Sequence, residues 1–514
     1  MSQVANQPLP DDVVQLQDIA KAQQMRIDEL EKLVAIHEEM IRLMRIQKYG
    51  AKSEKLNDDQ LSFLDEEPGV QPEEVENEIP HADKPSPRKK RKKKPGRVKL
   101  PDHLPRVEEL IACTAEQCVC GQCGESTQVI GYEESEVLDV KPAEYFVRVV
   151  RREKRACQRC PDEGVTCAST PARIIEKSKF SDALIIDLVI KKYRDHLPLF
   201  RQCLSLLADA GLDIHRSTLC GIIMRVGELC IALNRAMKAE LFATGYIQAD
   251  ETPVGVQSGR TKGKNHQAYV FQFSHPGGTA LFEFHCSRER AGPEKFLQGF
   301  TGILQTDGYS AYNNFNEDSI ERVGCLAHIR RKFFDAHKVA KEDPLPLEII
   351  KSIAEIYEIE DEAREQQLNP EQRRLLRQEK SVPLLSALKA RILEIRADSK
   401  VLPGSLLGKA CTYAINQWER MSKSMDHGEV EVDNNRCENG IRPLAIGRKN
   451  WLHIGSEQAG PKIAAIVSII ETCRRLDINV REYLLDVLPG LSERPQSDLP
   501  ELTPLAWKAR QQRS

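Results

Sequence analysis

Apolar residues recur at three- and four-residue spacing near the start of the chain, at Val13, Leu16, Ala20, Ile27, Leu30, Val34, Ile41 and Met44, with polar interruptions at Gln23 and His37. This a/d heptad stripe predicts a helix over residues 11–60. A second stripe, Leu33, Ile36, Met40 and Leu43, widens the apolar face. No neighbouring segment offers a core for it to cover, so the expected structure is a self-associating coiled coil. Between 61 and 100 the periodicity vanishes. An acidic tract, EEPGVQPEEVENEIP, gives way to RKKRKKKPGRVK. Neither can bury a core, and the segment reads as a disordered linker. Residues 101–172 turn β-rich, as in EYFVRVVRREKRAC. From 173 to 240 helical spacing returns, broken at Gly211, and Ser217 or Thr218 can cap a helix beginning near Leu219. Helix, glycine turn and capped helix outline a helix-turn-helix, to which Lys191, Lys192, Arg194, Arg201 and Arg216 add charge.

From residue 245 the period switches to two. YIQAD, HQAYVFQFS and TALFEFHCS read as strands, GPEKFLQGF as a helix, GILQTDGYSAYN and SIERVGCLAH as strands, and IRRKFFDAHK as a helix. The order strand-strand-strand-helix-strand-helix-strand-helix predicts a ribonuclease H-like mixed sheet. In that sheet the first and fourth strands lie side by side, and Asp250 and Asp307 at their ends aim at one spot. Residues 338–425 are charged and helix-prone, without strand alternation, and form a helical insertion. The expected fold is therefore multidomain α+β. A coiled coil (11–60), a linker (61–100), a zinc ribbon-like β unit (101–172) and a helix-turn-helix unit (173–240) precede a ribonuclease H-like α/β catalytic core (241–455). A helical segment and tail (456–514) follow.

At 514 residues the chain exceeds one compact core. No apolar run approaches the roughly 20 residues of a membrane helix, and MSQVANQPLPDD lacks a basic start followed by an apolar stretch. The expectation is a cytoplasmic protein with no membrane partner. The net charge of −3 hides a strongly uneven distribution. The run containing Lys89, Lys90, Arg91 and Lys92 has the charge density to neutralise DNA phosphates. Fifteen cysteines in such a chain read as thiols or metal ligands. Cys120 with Cys123 and Cys157 with Cys160 form two C-x-x-C pairs in a β-rich context, a donor set for structural tetrahedral Zn²⁺. A redox pair is the rival for either one alone, and Cys118 is an alternative to Cys120.

Phosphodiester cleavage by a two-metal mechanism needs oxygen ligands that hold two Mg²⁺ (or Mn²⁺) ions about 4 Å apart. Asp250 and Asp307 supply part of such a cage. The third carboxylate candidate is Glu438, among Arg436, Arg442, Arg448 and Lys449, cations suited to holding DNA phosphates. A surface acid in ion pairs is the plainer alternative. Glu251 is set aside because strand alternation turns it away from Asp250. Asp433 lies on another helical face and is expected to cap the helix of Glu438. His328 reads first as a helix-start or core histidine, with a DNA-contacting or active-site role as the second reading. Trp451 reads as packed.

The segments ADETPVGV, LQTDGYSAYN, GCLAHIRRKFFDA and DNNRCENGIRPLAIGRKNWL together resemble the transposases of the insertion sequence 66 family. YGAKSEKL, LPDHLPRVE, RDHLPLFRQ with RSTL, and the tail AAIVSIIETCRRLDINVREYLLDVLP extend the resemblance over nearly the whole chain. It implies a DDE-type transposase with Asp250, Asp307 and Glu438 as the metal-binding triad. It further implies water attack at the element end, attack of the freed 3′-OH on target DNA, and no covalent protein–DNA bond. Its implied partners are terminal inverted repeats, target DNA, at least one further protomer and accessory proteins of the same element, in a nucleoid-associated bacterial setting. Cys437 departs from the small residue expected before the Glu and reads as tolerated packing. The alternative function is a catalytically inactive DNA-binding protein derived from a transposase. A fragment from about residue 240 to 514 is expected to fold alone.

Overall fold

The computed structural model describes residues 17, 19–28, 30, 31, 34, 126, 144–156, 165–257, 265–309, 312, 315 and 319–513. The linker with Lys89, Lys90, Arg91 and Lys92, and the four cysteines Cys120, Cys123, Cys157 and Cys160, lie outside the described residues. The chain divides into two compact units, Met1–Ile79 with Arg152–Ser514, and Pro80–Arg151. The described residues between 17 and 34 are helical, and Ala20, Ile27, Leu30 and Val34 of the heptad stripe are exposed, as are Ile19 and Met25 beside it. Of the strand expected through EYFVRVVRREKRAC, only β1 (Lys154–Ala156) forms among the described residues, paired antiparallel with β2 (Val165–Cys167).

Three helices follow, α1 (Asp182–Tyr193), α2 (Leu199–Ala210) and α3 (Arg216–Ala243). Gly211 ends α2 in the left-handed region at φ 66°, which glycine adopts without steric cost. Helix α3 begins three residues before the expected start. His215 is its N-cap, and its Nδ1 accepts the Ser217 backbone N–H, doing with an imidazole what a hydroxyl was expected to do. Helix α3 is long and apolar enough to cross a membrane. Here, however, Leu219, Ile223, Val226, Leu233, Met237 and Leu241 are fully buried, and the helix packs against a C-terminal helix, α11 (Ala459–Arg475). The two helices approach so closely that a side chain at Gly227 would collide with Lys462.

The mixed α+β core is a five-stranded sheet of β3 (Tyr246–Gln257), β4 (Asn265–Ser274), β5 (Ala280–His285), β6 (Gly302–Gln305) and β7 (Ile320–Val323), in the order β5-β4-β3-β6-β7. Strands β3, β4 and β5 are antiparallel neighbours, whereas β3, β6 and β7 run parallel. Helix α4 (Ala291–Leu297) connects β5 to β6. No α-helix lies between β6 and β7 among the described residues. Strand β5 is an edge, and α11 (Ala459–Arg475) covers it: Ser468 Oγ accepts the Phe282 N–H at 2.8 Å and Thr472 Oγ1 accepts the Ala280 N–H at 3.0 Å. Edge donors that would otherwise invite a foreign strand are thereby satisfied.

After β7 come α5 (Leu326–Val339), α6 (Pro344–Glu365), α7 (Pro370–Leu376), α8 (Val382–Ala397) and α9 (Leu406–Ser422). Ile349, Ile353, Tyr357, Leu388, Ile392 and Trp418 contribute to their common core. One π-helical turn, Arg377–Ser381, joins α7 to α8 and turns Arg377 inward. Arg377 and Glu360 are both 0% exposed and paired at 2.7 Å, while Arg377 Nη1 also donates to the carbonyls of Ser424 and His427. Burial would raise the Glu360 carboxyl, but Arg377 and Arg373 hold it below the ordinary value. Removing one member strands a buried charge. Arg377→Met is expected to destabilise the protein by about 3–5 kcal/mol, seen as a melting temperature lower by about 10 °C. Adding Glu360→Leu to that variant should recover part of the loss; an unchanged melting point in the single variant would show the pair to be dispensable.

Candidate active site

Strands β3 and β6 are in register with Gln248 opposite Gln305, and Gln248 Nε2 donates to Gln305 Oε1 at 2.8 Å. Both side chains are fully buried and share one face of the sheet. Two residues further along each strand direction are Asp250 and Asp307. Because side chains repeat a face every second residue, the glutamine pair sets where the aspartates emerge. The same glutamines hold the segment that leads into α10 (Asn435–Trp451): Gln305 Nε2 donates to Glu431 O at 2.7 Å, and Gln248 Nε2 to Asp433 O at 2.9 Å. Asn434, the N-cap, adds a bond from Nδ2 to Ala249 O at 3.0 Å, beside Asp250. Glu438 sits in the first turn of this anchored helix.

The carboxylates converge. Burial pushes the Asp250 carboxyl well above its ordinary value, and the charges of Glu438, Glu251 and Asp307 push it in the same direction. Asp250 accepts the Glu251 N–H at 2.9 Å, and Asp307 accepts the Tyr309 N–H at 2.9 Å. Glu438 Oε2 accepts from Arg331 at 3.0 Å, but its Oε1 is buried with no hydrogen-bond partner. Repelling carboxylates, with an orphaned oxygen among them, are a donor set that hard divalent cations would satisfy.

Glu251 corrects the expectation from strand alternation. Its side chain is 3% exposed and receives Arg288 Nε at 3.0 Å; Tyr312 Oη lies 3.5 Å from Oε2, and Asp307 repels it. The segment after β6 thus reaches Glu251, so facing away from Asp250 along the strand does not remove it from the site. Asp433 does support the start of α10, accepting the Asn435 N–H at 3.0 Å. Burial raises its carboxyl to about 7 despite that bond and one from Tyr357 Oη at 2.9 Å. Cys437 is fully buried with Sγ 4.0 Å from Gln272 O, a packing position against β4.

The cations of α10 divide. Arg448 donates to Thr252 Oγ1 at 2.8 Å and to Pro253 O, tying the helix to β3. Arg436 acts on Glu431 and His275. Arg442 and Lys449 are exposed. Trp451 is half-buried, with Lys192 Nζ 5.7 Å from its ring centroid. Sequence reasoning did not single out Arg331, Gln248, Gln305 or Asn434. A signal for the glutamines was present: YIQAD and LQTD each spell Gln-x-Asp.

These elements fit a transposase, and comparison with known proteins supplies the family. Residues 177–462 match the family described as Transposase IS66 family, residues 117–161 the zinc-finger binding domain of transposase IS66, and residues 37–108 the family described as Transposase C of IS166 homeodomain. The chain belongs to the IS66 family of transposases. The zinc-finger match spans both C-x-x-C pairs. Two similar proteins come from Sinorhizobium fredii (strain NBRC 101917 / NGR234). Uncharacterized protein y4jD is 33% identical over 428 residues, covering 80% of this chain and 82% of that protein. Uncharacterized protein y4qI is 32% identical over 523 aligned residues, covering 97% and 92%. Family membership implies use of a divalent metal, zinc binding and DNA as partner.

Proposed function

We propose that this protein cleaves and joins DNA strands at insertion-sequence ends, with Asp250, Asp307 and Glu438 as the cation-binding triad of a ribonuclease H-like core. The observation that carries the reading is the gathering of three carboxylates from β3, the segment after β6 and the first turn of α10, where the charges of Glu438 and Asp307 add to burial in raising the Asp250 carboxyl. The adjacency of parallel β3 and β6 in a mixed sheet supports the core assignment. Bound Mg²⁺ or Mn²⁺ would polarise the scissile phosphodiester and lower the pKa of the attacking water. The chain's own residues do the rest. The buried glutamine pair orients both aspartates, and Arg331 orients Glu438. Exposed Arg331, Lys332, Arg442 and Lys449 offer phosphate contacts around them. Water then opens the phosphodiester at the element end, and the freed 3′-OH attacks a target phosphodiester, releasing one strand end as it forms the new bond.

The remaining parts have their own tasks in this reading. Cys120, Cys123, Cys157 and Cys160 hold one structural Zn²⁺. The zinc unit, the helices of 173–240 and the basic run at Lys89–Lys92 find the terminal inverted repeats in a cytoplasmic, nucleoid-associated protein. The heptad helix pairs protomers, because two element ends must be joined, and accessory proteins of the element assist. Purified full-length protein with Mg²⁺ and DNA carrying the flanking element ends tests this. The expected result is a nick that leaves a 3′-OH, followed by joining to target DNA. Protein that binds the ends yet cuts them in neither Mg²⁺ nor Mn²⁺ would instead be the catalytically inactive DNA-binding derivative.

A further inference from the structure

His328 lies in the first turn of α5 with its Nε2 3.6 Å from Glu438 Oε1. That separation is too long for a hydrogen bond. On the Glu438 side, Oε1 is buried and has no hydrogen-bond partner, while Oε2 is engaged by Arg331. On the histidine side, Nε2 is the nitrogen that faces this oxygen, while the other ring nitrogen, Nδ1, is buried without a partner. Buried polar atoms of native proteins are nearly always satisfied, so the orphaned Glu438 Oε1, facing an imidazole nitrogen that stands too far off to bond it, calls for a third party between them. Donors each about 2.1 Å from one ion stand about 3.0 Å apart at a right angle and about 4.2 Å apart when opposite. The observed 3.6 Å falls between these limits.

The facing arrangement is built, not incidental. Cys325, His328 and Glu438 bring one donor atom each within 4.8 Å of one another. Cys325 acts as the anchor of the three: its buried Sγ accepts the Asn434 N–H at 3.2 Å, and next to it the Leu326 N–H reaches Val432 O at 3.0 Å. These two bonds lace the start of α5 to the start of α10. His328 and Glu438, each one turn into its helix, are held opposite each other as a result. A core histidine has no need of this lacing, and a DNA-contacting one would not be turned toward a carboxylate.

We propose that His328, through Nε2, is a ligand of the cation held by Glu438, which gives one of the cation positions a nitrogen donor. The proposal rests on the reading of Glu438 as a cation ligand. Mg²⁺ favours oxygen donors, whereas imidazole suits first-row transition ions. The position is therefore tuned toward Mn²⁺ relative to an all-carboxylate site.

Pulsed electron paramagnetic resonance of the full-length protein loaded with Mn²⁺, without DNA, reads the ligand directly. Nitrogen-14 modulation is expected in the unaltered protein and should change to the nitrogen-15 pattern when histidine is isotopically labelled. His328→Gln should lose it, with Mn²⁺ affinity about tenfold weaker, a change of about 1.4 kcal/mol, and Mg²⁺ affinity within about twofold. Because the first measurement uses the unaltered chain, a variant that fails to fold does not block the test. Bound Mn²⁺ that is lost in Glu438→Gln and Asp250→Asn but shows no nitrogen coupling overturns the role of His328 alone. Coupling that persists in a folded His328→Gln overturns it equally. Mn²⁺ binding indifferent to both carboxylate changes overturns the triad itself, and His328 with it.

Discussion

Asp250→Ala is expected to lower DNA cleavage at least about a thousandfold, equivalent to about 4 kcal/mol of lost transition-state stabilisation, while element-end binding changes little. Asp307→Ala and Glu438→Ala should behave alike. The reason is that these side chains present charge to cations and not to phosphates, whereas binding draws on the basic and zinc-containing regions. A second readout separates this from simple damage. In the cation-free protein Asp250 is a buried carboxyl pushed up by burial and by the charges of Glu438, Glu251 and Asp307. Asp250→Asn removes the charge and keeps the shape, so the variant should melt higher than the parent while being inactive, the trade expected of a site held under electrostatic strain. Mg²⁺ should raise the melting temperature of the parent and not of the variant, since only a bound ligand adds stability. Near-parental cleavage by Asp250→Ala in Mg²⁺ would remove Asp250 from the triad. A lower melting point for Asp250→Asn would show that its carboxylate is satisfied within the protein.

A chain beginning at residue 240 is expected to have no cooperative unfolding transition, whereas one beginning at residue 171 should melt cooperatively. This reverses the expectation drawn from the sequence. Six fully buried side chains of α3, from Leu219 to Leu241, would be deleted. At about 1.5–3 kcal/mol each, the loss is on the order of 10 kcal/mol, comparable with the whole stability of a typical domain. The partner face of α11 would be exposed too, and α11 covers the edge of β5 through Ser468 and Thr472. Starting at 171 keeps two further ties, Arg481 to Asp187 and the Gly490 N–H to Arg173 O at 3.2 Å. Circular dichroism melts of the two fragments decide it. A sharp transition for 240–514 would mean that α3 is an appendage of the catalytic half.

These helices show where local reading stops. The sequence marked α2, its Gly211 stop and the helix after it, because spacing, left-handed turn and cap are properties of a few adjacent residues. It missed the His215 cap only because an imidazole seldom serves there. It could not mark that α3 belongs to the sheet's own packing, since the contact with α11 joins residues such as Gly227 and Lys462 that are far apart in the chain.

The site divides along the same line. The convergence of Asp250 and Asp307 was legible because each belongs to an alternating run that repeats Gln-x-Asp, although β3 continues past Asp250 to Gln257 and Asp307 falls two residues after β6, so neither ends its strand as the sequence suggested. Glu438 was legible from the motif around it. Strand alternation, a rule about one strand, misjudged Glu251, because the segment after β6 reaches it with Tyr312 and Asp307. The same limit applied to Arg448, which charge alone marked for phosphate and which in the fold holds α10 to β3. Periodicity in a sequence determines which face of an element is apolar and which residues share it. Which element meets that face, and so which charges stand together and which atoms go unpartnered, is decided by packing between segments far apart in the chain. Only the tertiary structure could therefore turn His328 toward Glu438.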